Sequence, residues 1–310
     1  LNGEASFRRG FEPLLSGGSE VKLGDLAGLE ARLAVGDIAA FVFEPIQGKG
    51  VNIASDEYLL AAQNLCRKYG ALMVCDEVQS GMGRTGRFLA CQWIDGLQPD
   101  VVCLSKALSG GYVPVGATIT RRAIYNSVYD SMNRAIVHAS TFGMGNLAMA
   151  AGLASLAVLD DENLAERANE LGARFRRGIE AMVPRFEFLK GVRQRGLMIG
   201  IEFGKPESMS LKAAWAMVNK MDENLFAQAI VIPLLDDHHI LTQVAGHAIP
   251  IVKILPPLNI SEADVDYFLA ALEDVMIKLH KFPGPAWDVL MKLGNHAITA
   301  KRREGRAAAT

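Results

Sequence analysis

No apolar run in this sequence is long enough to cross a bilayer. The longest near-apolar stretch, residues 147–159, is broken by Gly152 and Ser155 and falls short of the roughly 18 to 20 residues that a spanning helix needs. Net charge is scarce as well. The 32 Lys plus Arg set against 34 Asp plus Glu leave a formal charge of −2, which removes the electrostatic drive for wrapping nucleic acid or settling on an anionic membrane. Cysteine is sparse and unpatterned: Cys66, Cys75, Cys91 and Cys103 form no CxxC pair and sit among apolar neighbours. That is the pattern of reduced core thiols in a cytoplasmic chain, and it excludes a disulfide framework. His238 and His239 are adjacent, so their side chains diverge on a strand or a helix, and no metal site is expected. Repeats, low-complexity blocks and heptads are missing. So are an initiator methionine and any signal-like segment, since the chain opens on Leu1. The expectation is that an upstream piece has been cut off.

What is present is a globular composition, with half of the 310 residues apolar, enough for a core without staples. Short β-rich apolar runs alternate with longer helical periods, which predicts an α/β fold with a mainly parallel sheet. Strands are expected at Ile38 to Phe43, Leu72 to Cys75, Val101 to Leu104 and Val115 to Thr120. Between the first two, Ser55 is the expected N-cap of a helix that stops at Gly70. From Asn146 the texture turns helical, with an Ala/Gly-rich segment to Leu159 and an amphipathic one over Asn163 to Met182. After Pro184 it becomes α+β: a strand over Gly196 to Phe203, a helix over Ser210 to Phe226, short strands near Ile230 and Ile251, and a helix from Ser261 to His280. Pro256 and Pro257 hold an extended segment ahead of the Ser261 N-cap. The expected division is one domain over 1–157, a smaller one over 158–300 and a solvated basic tail over 301–310.

The informative strand reads LMVCDEV. Its last residues place Asp76 and Val78 on one face and Glu77 on the other. A carboxylate at the C-terminal end of a parallel strand lies where α/β proteins place their ligands. The strand VVCLS then leads into Lys106 and the flexible ALSGG, so two strand ends present an acid and an amine to one crevice. Such a pair can be a structural ion pair. In pyridoxal phosphate chemistry it has a specific use, the amine binding the cofactor covalently and the acid keeping its ring nitrogen protonated. GMGRTG matches GxGxxG, but Arg84, Thr85 and Arg87 interrupt the helix that a dinucleotide fingerprint requires. His138, before a turn, is read as a hydrogen-bonded structural residue.

Six segments decide between these readings: EPIQGKGV (44–51), DEVQSGMGRTGRF (76–88), PDVVCLSKALSGGYVPVGA (99–117), HASTFGMGN (138–146), RGLMIGIEF (195–203) and LPPLNIS (255–261). Together and in this order the chain closely resembles the class III aminotransferases, of the ornithine, acetylornithine, 4-aminobutyrate and diamine type. The resemblance implies a fold-type I pyridoxal-phosphate transferase, with part of the large α/β domain followed by the C-terminal α+β small domain. It implies transamination of a diamine, ω-amino acid or amino aldehyde with a 2-oxo acid acceptor by a ping-pong route. Lys106 is implied as the Schiff-base lysine and proton carrier, Asp76 as partner of the pyridine nitrogen, Val78 as ring packing and Gln79 as hydrogen-bond donor to the phenolic oxygen. Thr141 is implied to reach the cofactor phosphate of a neighbouring subunit, hence a homodimer with shared sites, and Glu44 to face the substrate.

Two departures qualify the likeness. Lys253 stands where ornithine- and acetylornithine-type members commonly hold an arginine. A lysine keeps the charge but lacks the planar fork that clamps a carboxylate, and it is expected to pair with Glu44 across the pocket. The Gly-Ser/Thr-rich helix start that cradles the cofactor phosphate, and the stacking aromatic, are not found upstream of LNGEASFRRGFEPLL. A longer natural N-terminus and poor cofactor retention by this polypeptide alone are therefore expected. The competing readings are an aminomutase or racemase of the same family, and an inert fragment acting only in dimerisation.

Overall fold

The structure, a computed structural model, describes residues 8–221, 225–246, 249–288, 290–292 and 294. The basic tail over 301–310 lies outside the described residues. After a short helix α1 (Leu26–Leu33), the chain runs through β1 (Ala40–Phe43), α2 (Asp56–Tyr69) and β2 (Leu72–Asp76), a parallel unit in which Phe43 is in register with Cys75. The expected signals delimit α2. Ser55 Oγ accepts the Tyr58 N–H at 3.2 Å, and Gly70 ends the helix at φ +71°, a left-handed cap without a Cβ penalty. Asp56 and Glu57 in its first turn and Arg67 and Lys68 in its last complement the helix dipole.

β3 (Val101–Leu104) adds in parallel beside β2 with Asp76 in register with Cys103, and β4 (Ala117–Thr120) closes the sheet antiparallel to β3. Helices α3 (Arg122–Val128), α4 (Asn146–Asp161) and α5 (Leu164–Met182) follow. The second sheet is antiparallel in the order β5 (Leu189–Arg195), β6 (Met198–Phe203), β8 (Ile251–Ile254), β7 (Gln243–Val244). Helices α6 (Met209–Met221), α7 (Leu225–Asp236) and α8 (Glu262–Leu279) belong to this half. Phe175, Phe188, Ile199, Ile230, Phe268 and Leu272 belong to its continuous core. Ser261 and Asp264 form a reciprocal capping box at the start of α8.

Several expectations need correction. The strand near Ile230 is the middle of α7, whose buried residues Leu225, Phe226, Ala227, Ala229, Ile230 and Leu234 spread around the helix. A short apolar run has no period that separates a buried strand from a buried helix. The expected helix over Ser210 to Phe226 is α6 ending at Met221, with Phe226 already in α7. β5 is a strand that the sequence hides, because LKGVRQR is polar and the strand lies at the sheet edge. Gly196 and Leu197 are the turn of the β5–β6 hairpin. The expected division at 157 keeps one sheet on each side and lies within α4.

The two sheets are joined where the 81–87 loop meets that hairpin. Gly196 has φ +50°, and a Cβ there would sit 2.6 Å from the Thr85 carbonyl carbon. The Leu197 N–H donates to the Arg84 carbonyl at 2.9 Å, and the Arg84 guanidinium donates to the Leu197 and Pro256 carbonyls. No helix opens at GMGRTG, where the chain makes successive turns, so the dinucleotide pattern has no structural counterpart.

Candidate active site

Parallel pairing brings the chemistry together. β2 ends on Asp76, and the adjacent β3 ends two residues before Lys106, so acid and amine share one sheet edge. Asp76 Oδ1 accepts the Val78 N–H at 3.0 Å, which fixes the carboxylate at the mouth of the following turn. Lys106 opens a short 3-10 turn with φ +47°, in the left-handed region that costs an L residue about 1–2 kcal/mol. Leu108 N–H to Ser105 O at 3.0 Å and Ser105 Oγ to Val115 O at 2.7 Å hold the chain in place around it. Strained non-glycine residues of this kind cluster at functional sites.

Glu44, just beyond β1, and Lys253, in the middle of β8, complete a charge quartet. Burial pushes the Glu44 carboxyl above its ordinary value; a bond from the Gly48 N–H pulls it back, the Asp76 charge raises it further, and Lys106 and Lys253 lower it. Lys253 is only 8% exposed. Burial and the Lys106 ammonium hold its amine below the ordinary value against the pull of Glu44. The expected direct pairing of Glu44 with Lys253 is not what the structure has. Both bind the main chain of Gly48: Glu44 Oε2 accepts its N–H at 2.7 Å and Lys253 Nζ donates to its carbonyl at 2.9 Å. The glycine, with one peptide group on either side of its Cα, thus sits between the two charges. Gly48 is a member of the site that sequence reasoning passed over, although it lies inside EPIQGKGV.

Gln79 faces the same glycine, and a Cβ on Gly48 would stand 2.4 Å from Gln79 Oε1. That oxygen is buried with no hydrogen-bond partner among the described residues, at a cost of about 1–3 kcal/mol if nothing answers it. Asp76, Lys106 and the unpartnered Gln79 Oε1 are polar groups of the kind that pyridoxal phosphate engages. Thr141 stands apart from this group, exposed on a turn ahead of α4, with no hydrogen bond joining it to these residues. His138 is exposed as well. His238 pairs with Asp274 at 2.8 Å, not with its neighbour. Among the described residues no helix is long and apolar enough to cross a membrane.

Comparison with known proteins agrees with this geometry. The chain is 35% identical over 313 residues to the aminotransferase PigE of Serratia sp. (strain ATCC 39006), covering 91% of this chain and 37% of that protein. It is 39% identical over 272 residues to the mitochondrial ornithine aminotransferase of Arabidopsis thaliana, covering 86% and 52% respectively. The chain therefore spans about half the length, or less, of the curated relatives it matches. Among solved structures it is similar to the ornithine aminotransferase of Toxoplasma gondii, with a TM-score of 0.74 at 30% identity, covering 88% of this chain and 59% of that one. That structure was described as having partial occupancy of pyridoxal phosphate at its active site. The family profile described as Aminotransferase class-III matches residues 18–276. With its acid and amine at neighbouring strand ends and this match over most of its length, the chain belongs to the class-III aminotransferase family.

Proposed function

We propose that this protein transfers an amino group from a diamine, ω-amino acid or amino aldehyde to a 2-oxo acid, using pyridoxal phosphate held at the C-terminal ends of β2 and β3. The observation behind this reading is that Asp76 and Lys106 stand at the C-terminal ends of the neighbouring parallel strands β2 and β3. The cofactor, when bound, supplies an electron sink that stabilises negative charge at the substrate carbon that loses its proton. Asp76 would keep a proton on the ring nitrogen, Val78 would pack against the ring and the Gln79 side-chain N–H would donate to the phenolic oxygen. Lys106 would bind the cofactor through its amine, and the same amine would carry the proton from the substrate carbon to the cofactor. Placing that amine in a site with two carboxylates keeps it near the atoms it serves.

Glu44 and Lys253 set the charge facing the substrate. Because Lys253 is spent on the Gly48 carbonyl and has no bidentate fork, a substrate carboxylate is bound less firmly here than by an arginine, which favours donors with a second amine. Thr141 acts in trans on the cofactor phosphate of a second copy. Supporting this, the 112–158 region exposes the large apolar side chains Tyr112, Ile136, Phe142, Met144, Leu147 and Leu153, a feature of interaction surfaces when such residues cluster. A cytoplasmic setting fits four cysteines that are all unpaired. Residues 1–157 act as cofactor-binding domain and 158–300 as a second domain, consistent with one sheet on either side of the division.

Borohydride reduction in the presence of pyridoxal phosphate tests the core of the reading. One cofactor mass fixed on the peptide containing Lys106, and none in Lys106→Ala, is expected. Fixation elsewhere, or none even with the expected upstream region restored, refutes it. Spectral half-reactions with diamines and ω-amino acids then rank the donors.

A further inference from the structure

Glu77 is the residue that the site does not explain. It follows Asp76 but projects to the opposite side of the strand, and it is 1% exposed. Its Oε1 accepts the Cys91 N–H at 2.7 Å and its Oε2 accepts the Ser80 hydroxyl at 2.5 Å. The Cys75 thiol lies 3.8 Å from Oε1. Among the described residues no cation stands within ion-pair distance of it, so the carboxylate is answered by neutral donors alone. Its main chain is tied as tightly: the N–H donates to the Cys103 carbonyl on β3 at 3.0 Å, and the carbonyl accepts the Gly81 N–H at 2.9 Å.

These bonds close a ring. From Glu77 the path runs to Ser80, then through Thr85 Oγ1 to Ser80 O at 3.2 Å and Trp93 Nε1 to Thr85 O at 2.9 Å. It returns along the 3-10 turn Ala90–Trp93 to the Cys91 N–H. Among the described residues, Asp76 and Gln79, on either side of Glu77, have fewer side-chain anchors: the Asp76 carboxylate accepts the Val78 N–H, and Gln79 Oε1 has no partner. Resting on the cofactor reading above, we propose that Glu77 is a positioning residue. Its buried carboxylate holds the 76–81 turn so that Asp76 and Gln79 keep their aim at the cofactor. The chemistry suits a glutamate. Aspartate is one methylene too short to reach both donors, and glutamine replaces one acceptor with an NH₂ group that cannot accept from either.

The test uses Glu77→Gln, Glu77→Ala and Ser80→Ala, the last removing one anchor without an overpacked or emptied core. Hydrogen exchange of the cofactor-free protein is expected to rise in 76–81 and stay unchanged in the hairpin over 189–203. Affinity for pyridoxal phosphate is expected to fall about tenfold in Glu77→Ala, the size expected for a hydrogen bond to a charged group, with a smaller loss in Glu77→Gln and Ser80→Ala. The bound cofactor's visible band should shift in the direction that Asp76→Asn shifts it, which a merely structural role would not produce. Unchanged affinity and band position in all three variants, with wild-type protein binding normally, overturns the positioning role alone. Wild-type protein that binds no pyridoxal phosphate even with the expected upstream region restored overturns the functional reading instead.

Discussion

Replacing Gly48 by alanine probes the site where its packing is tightest. The new methyl carbon would lie 2.4 Å from Gln79 Oε1, 3.1 Å from Gln79 Cδ and 3.2 Å from Glu44 Oε2. Ordinary contact needs roughly 3.4 Å or more, so the Gln79 amide must retreat by about 1 Å and Glu44 by a few tenths. Both are the mobile ends of flexible side chains. The fold should therefore survive with an overpacking cost of about 1 kcal/mol, the low end for such insertions, partly offset by about 0.4–1 kcal/mol from stiffening the unfolded chain. The functional loss should be larger than the stability loss. A displaced Gln79 gives up one hydrogen bond to the cofactor, about 0.5–1.5 kcal/mol net, or roughly two- to tenfold in affinity. Thermal melting of the cofactor-free protein and spectral titration with pyridoxal phosphate read the two effects separately. A Gly48→Ala protein that melts normally and binds the cofactor as tightly as wild type would refute the placement of Gln79 at the cofactor.

Proton linkage at the charge quartet gives a second prediction. The folded-state pKa of Glu44 lies above its ordinary 4.5, so the folded state binds more protons than the unfolded one in that interval. Its contribution is greatest below 4.5 and is lost as pH rises through the raised value. Lys253 lies below its ordinary 10.5, so its contribution is gained as pH climbs from its lowered value toward 10.5. Glu44→Gln should flatten the acid interval and Lys253→Met the alkaline one, in denaturant midpoints measured across pH. Slopes unchanged by both substitutions would sink this account. At the start of α8, Ser261→Ala removes the Oγ acceptor of the Asp264 N–H at 3.1 Å and half of the capping box. A loss of about 1 kcal/mol is expected from chemical denaturation, with cofactor binding unaffected because the cap faces solvent. A cofactor affinity that fell with it would show that α8 communicates with the site.

The parts of the molecule that were legible in advance are those whose causes are local. Ser55 and Gly70 bracket α2 because a cap is satisfied within one turn of its own residue. Asp76 and Lys106 meet because consecutive strands joined by a right-sized connection usually become neighbours, and both are read at the ends of apolar runs. The failures are non-local. β5 is a strand only because β6 pairs with it and its outer edge is wet, which a window over LKGVRQR cannot register. Ile230 sits in a helix because an apolar segment buried on several sides has no face to reveal its period. The same distinction runs through the site. Lys253 reaches the Gly48 carbonyl from 205 positions away, and charge alone suggested a partner in Glu44, a reasonable expectation in water. In a buried site each charge needs hydrogen bonds of its own more than it needs an opposite charge. Gly48 offers its N–H to the acid and its carbonyl to the amine, one from each of the peptide groups that flank its Cα, so the glycine between them becomes the hinge of the pair. Gly48 is small for that reason: a Cβ there would run into the Gln79 amide and the Glu44 carboxylate.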